Sequence, residues 1–479
     1  MNRLLLYKFG LCGLLALSLL AGLSGCNISD TGKENRSRDL KNPGESAQVL
    51  ERMVVDSVPG DFPVGFSFLT ANDWQFIAYY NKDRNLTVAS RKTDDSQWNY
   101  QTLPTRVGWD SHNRIEMVID RRGSLHVSGN MHNDSMTYFI TREPYAISTF
   151  ERIFPLVSEE DELRCTYPSF MKGPQGEVLF SYRKGGSGNG VTITNIYDEP
   201  KSAFRRLTEE PLFDGLGQMS AYARGPNLGP DGAYHLTWLW RDTPDCETNH
   251  DLSYARSKDL VHWETIDGRS LELPITPRNS GCTVDPVPPG GGALNGVFRL
   301  FFSQENTPLL AYMKYDREGN SQIFIAKAEG GTWTIKKVSD WDYRWAFSGP
   351  GSIDFEIRLP GTEMPDPETI KILYTHKVRG DGALWVDVNS LATLGDSTFA
   401  GGHRSPYPDS LLRPRLEEQG LMVHWLEAQS ESVNRSDPFY VLRWETMGRR
   451  RYYEPPEQPV APSPLILYRF STEASRAVE

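Results

Sequence analysis

An all-β chain, folded as a seven-bladed β-propeller in a single domain, is what this sequence predicts, and three observations predict it. Turn-then-strand units recur along the chain, starting at positions 74, 123, 176, 232, 296, 370 and 420. Repeats of about 40–50 residues that each hold several short strands have the periodicity of propeller blades. Helical periodicity is nearly absent, and 32 prolines are spread through the chain, each removing a helix donor and clashing with the preceding turn. Finally, a tryptophan follows a polar turn at Trp98, Trp263 and Trp333, so a second element recurs out of phase with the first.

The units run in order. Trp74-Gln75-Phe76-Ile77-Ala78-Tyr79 opens the series, followed by Gly123-Ser124-Leu125-His126-Val127 and Gly176-Glu177-Val178-Leu179-Phe180. Gly232-Ala233-Tyr234-His235-Leu236, Gly296-Val297-Phe298-Arg299-Leu300, Ile370-Lys371-Ile372-Leu373-Tyr374 and Gly420-Leu421-Met422-Val423-His424 complete it. The longer fourth and fifth intervals imply insertions, expected as loops rimming one face. Ser257-Lys258-Asp259, just before Trp263, is similar to a degenerate Asp-box of sialidase-type blades. A pair of β-sandwiches would also alternate strands and turns, but it does not require self-similarity at this period.

The N-terminus predicts export. Arg3 and Lys8 precede and enter an apolar stretch that ends in Leu23-Ser24-Gly25-Cys26. A basic start, a short apolar core and a small-residue cleavage site describe a signal peptide, here residues 1–25. The terminal tetrapeptide resembles the bacterial lipobox, which implies lipidation (palmitate included) at Cys26. Asn27, a non-Asp residue after the cysteine, implies an outer-membrane or cell-surface lipoprotein of a Gram-negative bacterium. Residues 26–55 then read as the lipidated cysteine and a flexible tether, and 56–479 as the propeller. The membrane is reached through the lipid alone.

The formal charge is −11, and loss of Arg3 and Lys8 with the signal makes it more negative. An acidic surface argues against nucleic acid as a partner. An anionic substrate would need a local basic cleft. Aromatic residues make up 11%, with 41 glycines, as suits a turn-rich β protein expected to act as a monomer. With Cys12 and Cys26 removed or lipidated, Cys165, Cys246 and Cys282 remain. An odd set leaves a buried free thiol or a metal site.

The candidate chemistry sits in the second and third units. Gly108-Trp109-Asp110-Ser111-His112-Asn113 and Ser128-Gly129-Asn130-Met131-His132-Asn133 place two histidines in matching settings twenty residues apart, among nine in the chain. Imidazole titrates nearest neutrality, so paired His–Asn elements suggest proton transfer or anion binding. Tyr167 lies in Thr166-Tyr167-Pro168, where the following proline predicts an extended backbone. Arg183 lies where a strand runs into the glycine-rich Gly185-Gly186-Ser187-Gly188-Asn189. Tyr222 and Arg224 add a further pair near a strand end.

These segments resemble the neuraminidase-like (BNR-repeat) seven-bladed β-propeller family of polysaccharide lyases that includes ulvan lyases. The two His–Asn segments, Thr-Tyr-Pro, Ser181-Tyr182-Arg183-Lys184-Gly185-Gly186 and Asn249-His250-Asp251-Leu252-Ser253-Tyr254 carry the resemblance. It implies β-elimination at the bond between sulfated rhamnose and glucuronate or iduronate in ulvan, a sulfated algal polysaccharide, giving unsaturated uronate oligosaccharides. By that pattern Arg183 meets the uronate carboxylate, and His112 and Tyr167 are the proton-transfer pair with His132 sharing the role. Tyr222, Arg224, Asn113 and Asn133 are then expected to bind substrate. Family members with a structural metal make Cys246, His250 and Cys282 a candidate zinc set, with Cys165 or another histidine as fourth ligand. Alternatively His250 lines the cleft and the cysteines pack in the core. The elimination itself needs no cofactor. A glycoside hydrolase acting on rhamnose–uronate linkages is the alternative enzyme, although the carboxylate pair that hydrolysis commonly uses is not evident. A non-catalytic glycan-binding propeller is the third reading.

Overall fold

Each of the seven predicted units falls on a different sheet. The computed structural model describes residues 47–351, 353–399, 405–415, 420–430, 438–448, 455, 458 and 460–471. Among them the chain is all-β and propeller-like: strands form seven sheets of four to six strands, built almost wholly from antiparallel neighbours in chain order. One four-residue α-helix, Glu159–Glu162, and short 3-10 turns are the only helices among the described residues.

The local reason is visible in the turns. Asp120 Oδ1 accepts from the backbone N–H of Arg122 (2.9 Å) and Ser124 (2.8 Å), and Gly123 between them takes φ +87°, a conformation that costs glycine little. The strand Leu125–Ser128 follows and carries His126, fully buried beside Tyr138 Oη at 2.7 Å. The fourth sheet has a like turn at Gly232, where Asp231 Oδ1 accepts from Ala233 N, and His235 Nδ1 lies 2.6 Å from Tyr254 Oη. Burial pushes both histidines down from their ordinary value, against the pull of their aspartates. They are neutral framework groups.

The tryptophans serve the outer strands. Trp263 is buried in the fourth sheet, paired with Ser257 on one side and Leu271 on the other, its Nε1 donating to Leu260 O at 3.2 Å. Asp259 of the Asp-box-like turn accepts from Val261 N (2.9 Å) and His262 N (2.8 Å). Apolar clusters then fill the spaces between neighbouring sheets, as where Leu252 and Tyr254 of the fourth meet Leu310 and Tyr312 of the fifth.

The last sheet joins both ends of the described chain. Gln48–Val58 pairs antiparallel with Ser463–Ser471, which pairs with Phe439–Met447. This corrects the expected tether boundary: residues from Gln48 onward are strand, because Val55 and Val58 bury their side chains in this sheet. The signal peptide, Cys26 and the start of the tether lie outside the described residues.

Candidate active site

Arg183 and Tyr167 are brought together by strand register. The strand Cys165–Lys172 pairs with Val178–Lys184, with Thr166 opposite Arg183, and the register shifts between Thr166 and Ser169. Tyr167 sits in that bulge with φ +59°. The extended backbone expected before Pro168 is therefore not what the chain adopts. A non-glycine residue in the left-handed region costs of order 1–3 kcal/mol, and here the bulge re-aims the ring. The Tyr167 ring is buried, with the Arg183 guanidinium carbon 4.9 Å from its centroid.

His132 comes from an unexpected direction. His132–Asp134 is a short strand that pairs with Cys165–Lys172, Thr166 lying opposite His132. The histidine read as part of the second unit is thus borrowed by the third sheet. Asn130 and Asn133 on either side take φ +57° and +67°, which asparagine tolerates better than most residues. Asn133 N donates to Thr166 Oγ1 at 2.7 Å, and its Oδ1 accepts from Arg164 Nε at 3.1 Å.

His112 lies on the loop after the first sheet and meets His132 through Asp110. Asp110 Oδ1 is 2.7 Å from His112 Nδ1, and Oδ2 is 2.5 Å from His132 Nδ1. The two imidazoles stack with centroids 4.5 Å apart, and the Tyr167 ring lies 6.3 and 6.1 Å from them. An ionised carboxylate can only accept, so each Nδ1 presents a proton to Asp110, which leaves Nε2 as the other nitrogen of each ring. Burial works to raise Asp110, but its hydrogen bonds from His112 and His132 outweigh that and hold it well below the ordinary 3.8.

A carboxyl lowered on folding adds stability above its unfolded value and loses that contribution as pH falls through the folded one. Asp110→Asn should therefore be less stable than wild type at neutral pH, and the gap in denaturation midpoint should close below pH 3.8. With both imidazoles unanchored, turnover is expected to fall about a hundredfold. A gap that persists at acid pH would show that the charge of Asp110 is not what holds the site.

The cationic side of the site is built on the next two sheets. Arg183 is buried, and Gly190 makes room for it: a Cβ there would lie 2.6 Å from Arg183 Cδ. Arg183 Nη1 donates to Tyr222 Oη at 3.4 Å, and Ser187 Oγ lies 2.5 Å from the same oxygen. Arg241, at the end of Tyr234–Arg241, stacks over Tyr222 at 4.1 Å. Its Nε and Nη2 are fixed by Asn249 Oδ1 (3.0 Å) and Asn295 Oδ1 (2.7 Å). Burial tends to raise Tyr222, yet the charges of Arg241 and Arg183 and the Ser187 hydroxyl overcome it and hold the phenol below 10.0.

The remaining expected residues are placed elsewhere. Arg224 reaches toward the fifth sheet, donating to Gly296 O at 3.0 Å beside the Phe298 ring. Asn113 is buried and its backbone oxygen accepts from Tyr80 Oη at 2.6 Å, which fixes the His112 loop. The candidate zinc set is not gathered. Cys246 packs in the core shared by the fifth and sixth sheets, while Cys282 packs with Trp238 and Trp263. His250 holds Asp251 Oδ2 (2.9 Å) and Asp242 Oδ1 (3.0 Å) on its two nitrogens. All three cysteines are buried free thiols, and burial pushes Cys282 up to about 12. Among the described residues, Asp110, His112 and His132 are the one group of three such side chains whose ligand atoms lie within 4.8 Å of one another.

Asp110, Arg241 and Ser187 are the site residues that sequence reasoning missed. Asp110 was within reach, standing two positions before His112 in the quoted motif. Arg241 and Ser187 carry no local signal beyond lying at a strand end and in a glycine-rich loop.

No curated protein sequence matches this chain. Among solved structures, the polysaccharide lyase Uly1 is similar at 12% identity and a TM-score of 0.57, covering 89% of this chain and all of that one. An ulvan lyase of family PL25, bound to -[GlcA(1-4)Rha3S]-, is similar at 15% identity and a TM-score of 0.53, covering 88% and 96%. At these identities the likeness is one of fold. The model of the BNR repeat-containing family matches residues 74–341, more than half of the sequence and the whole of the candidate site. The chain belongs to the BNR repeat-containing family.

Proposed function

We propose that this protein is a polysaccharide lyase that cleaves ulvan by β-elimination at the bond between sulfated rhamnose and a uronate. The observation that carries it is the convergence of two Asp110-anchored imidazoles, Tyr167 and an Arg183–Tyr222–Arg241 cationic wall. The seven sheets are read as propeller blades, with the site at the strand ends of the first four.

Elimination needs three things at once. The uronate carboxylate must be neutralised so that the C5 hydrogen becomes acidic, a base must take that proton, and an acid must protonate O4 as the C4–O4 bond breaks and C4=C5 forms. Arg183 is assigned to the carboxylate, where a buried guanidinium is worth far more than in water. The phenol of Tyr222, held acidic by two arginines, is a strong donor to the same group. His112 and Tyr167 transfer the protons, and His132 backs His112 through their shared aspartate. Groups from two directions would serve both uronate epimers, whose C5 hydrogens lie on opposite ring faces.

A hydrolase would need a second carboxylate, and Asp110 is already held by both histidines. Lipidation at Cys26 would tether the enzyme at the outer membrane or cell surface, where the polymer is met. Incubation with ulvan tests the reading: chain shortening should accompany ultraviolet absorbance from the unsaturated uronate. Shortening without that absorbance would mean hydrolysis, and binding without shortening would mean a glycan-binding protein.

A further inference from the structure

A surface cleft of about 350 Å³ lies beyond the site, between the loop after the fourth sheet and the fifth sheet. It opens at the matching strand end: Arg183, Arg241 and Tyr315 stand at or next to the last position of Val178–Lys184, Tyr234–Arg241 and Pro308–Tyr315 in the third, fourth and fifth sheets. The two places are linked through one loop. Asn295, which holds Arg241, ends the segment whose Pro286–Gly291 stretch lines the cleft.

Within the cleft the Tyr315 ring is clamped. Gly292 backs one side, where a Cβ would fall 2.5 Å from the ring, and the Arg344 guanidinium lies 3.8 Å from the centroid. Tyr315 Oη donates to Trp345 O at 2.7 Å. Arg344 Nη1 donates to Gly319 O at 2.7 Å, and the side chain is exposed with no carboxylate partner among the described residues. The other charges are paired: Lys314 with Asp285 at 2.5 Å, and Asp316 with Gln322 Nε2 at 3.0 Å and Lys337 at 3.7 Å. Glu247 stands across Gly290, its Oε1 3.8 Å from the Cβ position there.

We propose that this cleft is a remote subsite for an anionic sugar unit of the polymer, its carboxylate or sulfate on Arg344 and its hydroxyls toward Glu247. A guanidinium already oriented by stacking and one hydrogen bond presents its remaining N–H groups to two anionic oxygens with little ordering cost. The acidic edge suits a polyhydroxylated ring better than a free inorganic anion. The proposal rests on the ulvan reading, and it extends the binding surface by a blade beyond the reacting bond.

The test is affinity electrophoresis of wild type, Arg344→Gln and Arg344→Ala through gels holding ulvan or chemically desulfated ulvan, with Arg205→Gln as an exposed control of equal charge change. Both Arg344 variants should lose about five-fold in affinity for ulvan, the size of a partly exposed ion pair, and Arg205→Gln should not. kcat/KM should fall about as much on the polymer and stay unchanged on the shortest cleavable oligosaccharide. A deficit that vanishes on desulfated ulvan assigns sulfate to Arg344, and one that persists assigns the carboxylate. Retention and polymer KM unchanged in both Arg344 variants, or reduced equally by Arg205→Gln, overturn the subsite. If wild type yields no unsaturated product while the Arg344 variants still lose retention, the lyase reading fails and the subsite stands.

Discussion

Tyr167→Phe should lower turnover on ulvan about a thousandfold while leaving polymer affinity within about two-fold of wild type. The substitution removes one oxygen and little else. Phenylalanine fills the same bulge at φ +59°, keeps the face that Arg183 covers at 4.9 Å, and keeps the ring beside His112 and His132. Binding contacts to the ring therefore survive, and what is lost is the part played by Oη. Initial rates of unsaturated-product formation, together with calorimetric titration of polymer into the slow variant, separate the two quantities. Wild-type turnover in the variant would mean that Tyr167 handles no proton and that the strained backbone serves packing alone.

Arg183→Gln should reduce kcat/KM by about a thousandfold, comparable to the loss of a preorganised charge aimed at a developing anion. Glutamine keeps much of the reach but leaves the uronate carboxylate unneutralised, and the C5 hydrogen stays weakly acidic. Methyl-esterified ulvan supplies the discriminating measurement, because the ester has already removed the charge. On that substrate the deficit should shrink to about ten-fold. The same variant should raise the Tyr222 phenol, since Arg183 is one of the two cations that hold it below 10.0; ultraviolet titration against Tyr222→Phe reads this directly. An equal deficit on ester and acid would place Arg183 outside carboxylate recognition and leave it a packing role between two tyrosines.

The pattern of repeats was legible because its causes are local. A turn such as Asp120 to Ser124 is fixed by one carboxylate, one glycine at positive φ and the strand that follows. The matching turn from Gly229 to Ala233 closes with the same backbone hydrogen bonds around Gly232 at φ +78°, so periodicity in sequence became periodicity in sheets. Tyr167 and Arg183 come close because two antiparallel strands joined by a short turn put Thr166 opposite Arg183, with Tyr167 next to it in the bulge. The backbone of Tyr167 was not legible, since the preference of a residue before proline is small against a bulge imposed by the flanking strands.

The two His–Asn segments show both sides of this division. That they carry proton-handling groups follows from residue type, and the Asp-x-His spacing of Asp110 and His112 is readable in a line of sequence. That one aspartate holds both rings depends on His132 leaving the second unit to pair with the third sheet, a contact between residues 22 apart that no local preference encodes. Arg241 reaches Tyr222 for the same kind of reason, through strand pairing within the fourth sheet. Conversely, Cys246, His250 and Cys282 look like ligands in one dimension, yet Cys246 packs against residues of the fifth and sixth sheets and Cys282 against Trp238 and Trp263 of the fourth. The sequence by itself therefore determined the repeated all-β architecture and the chemical types at the site, both set by short-range turns and side-chain identity. The tertiary structure alone decided which groups meet, because charge coupling acts over a few ångströms that only the docking of one sheet against the next creates.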